Sequence, residues 1–199
     1  MKFMLLLLTV ALASCASNET RYQTNLNLIS QDQYAEIIDS QMIHDQAYDG
    51  LYNTIDMKAV PLNSKVAMAQ VDQTARQFMW DETKYSEEKT KAQQQLEKES
   101  QIFVSFFTPE KKHDDLAKNK TLWKIFIDVD GHRYEGKASK IKLLESEIKG
   151  LYSFHNKFST PYQLSFPVAM KNIEGKSIRL TLTGPVGSSS VVFDSNVQK

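Results

Sequence analysis

The hydrophobic positions of this chain change period along its length. Tyr34, Ile37, Ile38 and Met42 recur at three- and four-residue spacing, one face of an α-helix. Ser30 and Gln33 form a capping box ahead of them, and Ile29 and Tyr34 flank it as a hydrophobic staple. Asp49-Gly50 predicts the end of this segment. Leu51 to Val60 is ambiguous, a short strand or an extended link, and Pro61 closes it. A second helix, capped by Asn63 or Ser64, is predicted from about Ser64 to about Ser100. Its stripe of Met68, Val71, Ala75, Phe78, Glu82, Tyr85, Lys89, Ala92 and Leu96 is heptad-like, interrupted by Glu82 and Lys89. That stripe suits a helix laid against its own domain, with a helical hairpin or a coiled-coil contact as the alternative.

From Gln101 the period becomes two. Ile102–Phe107 reads as a strand, and Leu122–Val129 with His132–Leu143 as a hairpin turned by Asp130-Gly131, a type I′ signal. The implied register sets Val129 against His132, Ile127 against Tyr134, Ile125 against Gly136 and Trp123 against Ala138, with Asp128 facing Arg133 on the other side. Gly150–His155, Tyr162–Ala169, Ser177–Thr183 and Ser190–Asp194 read as further strands. Gly175 and Gly184-Pro185-Val186-Gly187 supply turns between them. The expected class is α+β: N-terminal helices, one of them long, followed by an antiparallel β-sandwich of immunoglobulin-like general type. The expected partition is a signal peptide over 1–14, a lipidated Cys and tether over 15–29, a helical region over 30–100 and the sandwich over 101–199.

The tether and the lipid follow from the first residues. Lys2 precedes an apolar run, Phe3 to Ala13, of about 11 residues, short of the ~20 that span a bilayer as a helix. The run ends in Leu12-Ala13-Ser14-Cys15, and Cys15 is the chain's one cysteine. This segment resembles the lipobox of bacterial lipoproteins. The resemblance covers the first 15 residues and implies that Leu12, Ala13 and Ser14 are read by lipoprotein signal peptidase. It also implies that the Cys15 thiol is diacylated and becomes the first residue of the mature chain. Ala16 after the cysteine resembles outer-membrane members. Ser14-Cys15-Ala16 also fits ordinary signal peptidase, which would cut after Ala16 and release the chain. Acyl chains hold firmly, since each buried methylene contributes about 0.8 kcal/mol.

Charge and motifs narrow the rest. Acidic and basic residues number 24 each, so loss of Lys2 leaves one acidic residue in excess. That balance argues against a nucleic-acid partner. With Cys15 lipidated, no disulfide is expected. No Gly-x-Ser-x-Gly, His-Glu-x-x-His or phosphate-cradling loop occurs. Gly187-Ser188-Ser189-Ser190 reads as a flexible loop, His113-Asp114-Asp115 as a solvated loop and Asp128-x-Asp130-Gly131 as the hairpin turn. No cofactor, metal or catalytic residue is expected. Phe106 and Phe107 are adjacent in a strand and must face opposite sides. One of them needs cover, expected from the long helix through Phe78 or Tyr85, and these four residues form the candidate partner or ligand surface. The expected function is that of a lipid-anchored protein of the bacterial cell envelope, at the outer membrane. It would act as a non-enzymatic interaction or structural module on an unknown envelope partner. The alternatives are a carrier or sensor of an apolar ligand held between long helix and sheet and, third, an enzyme.

Overall fold

A computed structural model describes residues 26–194. The lipobox residues Leu12, Ala13, Ser14 and Cys15 lie outside the described residues. Helix α1 (Gln31–Gln41) begins as its local chemistry dictates: the Ser30 hydroxyl accepts from the Gln33 amide at 3.1 Å and the Gln33 side chain accepts from the Ser30 amide at 2.8 Å. The helix stops at Gln41, and residues expected to continue it form β1 (Ile43–Asp49). Asp49-Gly50 is therefore no helix stop. It opens a hairpin turn to β2 (Tyr52–Pro61), with Asp49 paired to Tyr52 and Gly50 at φ 60°. The stretch 30–100 thus contains two strands as well as helices.

The long helix is also divided. Helix α2 (Ser64–Gln77) starts at Asn63, whose side chain accepts from the Val66 amide at 2.9 Å. It ends in a Schellman-type turn in which the Trp80 amide bonds to the Ala75 carbonyl and Met79 sits at φ 49°. Glycine is usual at that left-handed position. A methionine there carries a backbone penalty of about 1 kcal/mol and leaves no glycine to signal the break. Asp81 then caps α3 (Glu82–Lys98) through the Lys84 amide at 2.7 Å.

The remaining elements are β3 (Ser100–Phe107), β4 (Lys124–Val129), β5 (His132–Glu135), β6 (Lys137–Lys140), α4 (Glu145–Leu151), β7 (Thr160–Phe166), α5 (Met170–Ile173), β8 (Ile178–Gly184) and β9 (Gly187–Phe193). Residues 150–155, expected as a strand, are instead the end of α4 and the turns after it. Ile148 and Tyr152 lie four apart on its buried face. Glu145 and Glu147 in its first turn and Lys149 in its last suit the helix dipole. The chain is mixed α+β with two antiparallel sheets, ordered β1-β2-β3-β7-β6 and β5-β4-β8-β9. They pack as a β-sandwich around one apolar cluster that includes Met57, Phe106, Trp123, Ile127, Leu164 and Leu180.

Two devices join the sheets. The β4–β5 hairpin keeps the expected register, Ile127 with Tyr134 and Val129 with His132, and both turn residues, Asp130 and Gly131, have positive φ. The Gly136 amide still bonds to the Ile125 carbonyl at 2.8 Å. Beyond it the chain changes sheets, and Ala138 pairs with Leu164 rather than with Trp123. A side chain at Gly136 would run into the buried Phe166 ring, so only glycine lets the strand turn this corner. At the other edge Asp45 of β1 accepts from the Ser189 hydroxyl at 2.6 Å and the Ser190 amide at 3.0 Å. Ser189 is buried in β9, so residues 187–190 are strand rather than the expected loop.

The five-stranded sheet is covered on both faces. Its inner face meets the other sheet, and its outer face carries a second cluster in which Phe103 and Val60 meet Tyr34 and Ile38 of α1, Val66 and Ala69 of α2, and Ile148 of α4. Tyr152 stacks on Phe103 with ring centroids 3.5 Å apart.

Gly136→Ala is expected to lower unfolding free energy by about 1–3 kcal/mol, as overpacking of a filled core does. Urea melts of the two proteins check this, and an unchanged midpoint would refute the corner assignment.

Candidate functional site

The helix pair α2–α3 leaves a concavity on the helical side. Ala67 and Ala92 are small, and where they occur the two helices leave a groove of about 500 Å³. Val71, Leu96 and Leu62 supply apolar lining, Trp80 stands at the end near the interhelical turn, and Gln101 of β3 lies at the other. The groove is therefore built from helix and strand together.

Its charged rim is internally paired. Glu88 accepts from Lys84 and from Lys91, each at 2.7 Å, and the Lys84 and Lys91 hydrogen bonds hold its carboxyl below the usual glutamate range. Glu99 accepts from the amides of Gln95 at 2.7 Å and Gln101 at 2.8 Å. Paired charge around an apolar floor suits an apolar or amphipathic occupant better than an ion.

Asp72 fixes the geometry of the turn end. Its carboxylate accepts from the Tyr85 hydroxyl at 2.8 Å, tying α3 to α2, and from the Ile29 amide at 3.1 Å, tying the entering chain to the same helix. Burial and the Asp72 carboxylate raise the Tyr85 pKa to about 12, so the phenol stays protonated and donates at neutral pH.

The four aromatic residues expected to form one surface are separated. Phe78 is 58% exposed at the end of α2, and Tyr85 is half-buried near it. Phe106 is fully buried in the sandwich, edge-on to Trp123 at 5.2 Å, and belongs to no surface. Phe107 is half-buried on the opposite face of β3. The outer face of that strand does receive helical cover, but through Val66 and Ala69 on Phe103 rather than through Phe78 or Tyr85. The missed cover was the aromatic segment Tyr152–Phe154, whose rings meet Phe103.

Other chemistry-bearing groups have structural partners. Asp114 accepts from Thr160 at 2.5 Å and Tyr162 at 2.9 Å, so this residue is pinned to β7 rather than solvated. Asp128 forms the expected pair with Arg133 at 2.8 Å. His155 is buried, shares a 2.8 Å hydrogen bond with Ser105, and stands edge-on to Phe103. Among the described residues no three His, Cys, Asp or Glu side chains gather as a metal set, and no helix is long and apolar enough to cross a membrane.

No protein-family model matches the chain, and no curated protein matches it. A solved structure similar to it is that of a novel protein of unknown function from Burkholderia pseudomallei K96243. The two are 12% identical, with 86% of this chain and 93% of that one covered and a TM-score of 0.39.

Burial lowers the His155 pKa below the usual ~6.5. The unfolded chain therefore takes up this proton first on acidification, so the contribution is complete above about pH 6.5 and is lost as pH falls through that value toward the folded pKa. His155→Gln should flatten the fall in urea midpoint between about pH 7.5 and 5.5. Parallel pH profiles for the two proteins would contradict this role.

Proposed function

We propose that the protein is a lipid-anchored module of the bacterial cell envelope, held at the outer membrane through Cys15, that works by binding an envelope protein in the α2–α3 groove. Leu12-Ala13-Ser14-Cys15 behind a short apolar run supports the anchor. The observation that carries the binding role is the groove itself, an apolar floor between two helices with its rim charges already paired. An amphipathic helix is the partner element that such a groove accepts, with its apolar face toward Val71, Ala92 and Leu96. The sandwich beneath is proposed to be of immunoglobulin-like general type, a reading supported by two antiparallel sheets facing across one core. No catalytic residue is assigned.

The second reading is a carrier or sensor of an apolar ligand. The groove volume of about 500 Å³ favours it, being within the ~300–1,000 Å³ range of small-molecule sites. Lipid co-purifying with the protein and lost in Ala92→Glu would mark this reading.

The mature protein from a bacterial host is expected to begin at an acylated Cys15 by mass spectrometry, with precursor accumulating under a lipoprotein signal peptidase inhibitor. A chain beginning at Ser17 without lipid would contradict the anchor. In the same cells a photo-crosslinker at Thr74 in the groove should capture a partner that Ala92→Glu loses, while one at Lys137 on β6 should not. Equal capture from both positions would contradict the groove as the binding surface.

A further inference from the structure

The segment that closes the outer cluster, residues 150–158, is held by side chains rather than by a backbone ladder. Among the described residues its backbone hydrogen bonds beyond α4 are local, the Tyr152 amide to Ile148 and the His155 amide to Tyr152. Its long-range bonds all use side chains of other elements. Tyr34 donates to the Leu151 carbonyl at 2.8 Å, Gln73 to the Gly150 carbonyl at 3.2 Å and Lys58 to the Phe154 carbonyl at 3.4 Å. A segment fastened in this way can open while the sheets stay paired.

His155 lies beneath it, 5% exposed. Its Nδ1 shares the 2.8 Å bond with Ser105 of β3, and its ring stands edge-on to Phe103 with centroids 6.4 Å apart. The charged groups that face it are Lys58 of β2 and Lys149 and Glu145 of α4. Glu145 is already paired with Lys149 at 2.9 Å. The other contacts of the segment, Tyr34 of α1 and Gln70 and Gln73 of α2, carry no charge at neutral pH. Protonation of His155 therefore puts a third cation beside two lysines and one engaged carboxylate, in a site closed to water. Burial holds the ring's pKa below the usual ~6.5 in the closed segment, so the open segment takes the proton first and acid favours opening.

Contacts lead from this site to the groove. Tyr152 stacks on Phe103, and its hydroxyl accepts a hydrogen bond from the Gln70 side chain of α2. Gln70 lines the α2–α3 groove, as does Thr74 one turn further on. Gln73, between them, holds Gly150. The helix that forms one wall of the groove is thus fastened to the segment that His155 underlies.

We infer that protonation of His155 releases residues 150–158, loosens the α2 wall and makes occupancy of the groove depend on pH. This rests on the reading of the groove as a binding surface. The coupling runs through packed and hydrogen-bonded side chains, and both ends of it are read in one experiment.

The full-length chain is followed by hydrogen exchange and mass spectrometry between about pH 7.5 and 5.5, with labelling times scaled for the intrinsic pH dependence of amide exchange. Peptides from 146–158 and from 66–78 should lose protection together below about pH 6.5, their opening constants rising by up to about tenfold per pH unit, the limit for one proton. Peptides from β8 should not change. His155→Gln should level the response, and Tyr152→Phe, which keeps the stack but frees Gln70, should leave it at 146–158 and remove most of it at 66–78. Should His155→Gln fail to fold, the ring signal that persists when His44, His113 and His132 are each replaced by Gln must titrate with the midpoint of opening. Protection at 66–78 that ignores pH, loss of protection in β8 together with the other peptides, or a mismatched ring titration would overturn the inference. Crosslinker capture from Thr74 that is lost in Ala92→Glu should be weaker at pH 5.5 than at 7.5. Equal capture at both would overturn the inference alone, whereas capture that Ala92→Glu leaves unchanged would overturn the groove reading and this inference with it.

Discussion

Strand β3 is buried on both faces, and the rest of the architecture answers that constraint. Ile102, Val104 and Phe106 point into the sandwich, while Phe103 points the other way with no exposure at all. A single apolar strand of this kind cannot sit in a sheet that is open to water on one side. Burial of one such phenylalanine is worth about 2–3 kcal/mol, and replacing it by alanine in a filled core costs about 3–5 kcal/mol. The helices are therefore a required layer: α1, α2, α4 and Tyr152 close over Phe103, and α3 folds back along α2 because α2 is already fixed. The groove is a consequence of that arrangement.

Carboxylates do much of the joining. Asp45 links the two sheets, Asp72 links the entering chain, α2 and α3, and Asp114 fastens the β3–β4 connection to β7. Glu174 accepts from the amide and hydroxyl of Ser64 at the start of α2. Each satisfies donors that a buried or half-buried junction would otherwise leave unpaired. In a chain with no disulfide expected within the fold, such junctions take over the task of fixing one segment against another.

Much of this was legible where a local rule is strong. The Ser30 capping box, the Asp130-Gly131 turn and the alternation through Leu164, Phe166, Leu180 and Leu182 each rest on neighbours in sequence, and each appears in the fold. The rest depended on tertiary context. Met79 in a left-handed turn carries no breaker signal, so α2 and α3 read as one helix. Asp49-Gly50 serves a hairpin as readily as a helix stop, and the choice is made by β3, which β2 must pair. Gly136 reads as one more residue of a hairpin until Phe166 is seen to occupy the space its side chain would need. The candidate surface was partly legible for the same reason: Phe78 and Tyr85 lie near the groove's end, whereas which of Phe103, Phe106 and Phe107 faces outward is decided by the register of β3 with β2 and β7.

The central claim is that helices and sandwich form one folding unit built on β3, so that the groove is a rigid surface rather than a detachable arm. It is tested by equilibrium unfolding of the Trp80→Phe protein followed with two probes. Helical circular dichroism reports the outer layer, and fluorescence of Trp123, then the sole tryptophan, reports the sandwich core. Coincident transitions are predicted. Loss of the helical signal at lower denaturant than the Trp123 transition would show that the sandwich stands without its helices and would contradict the account.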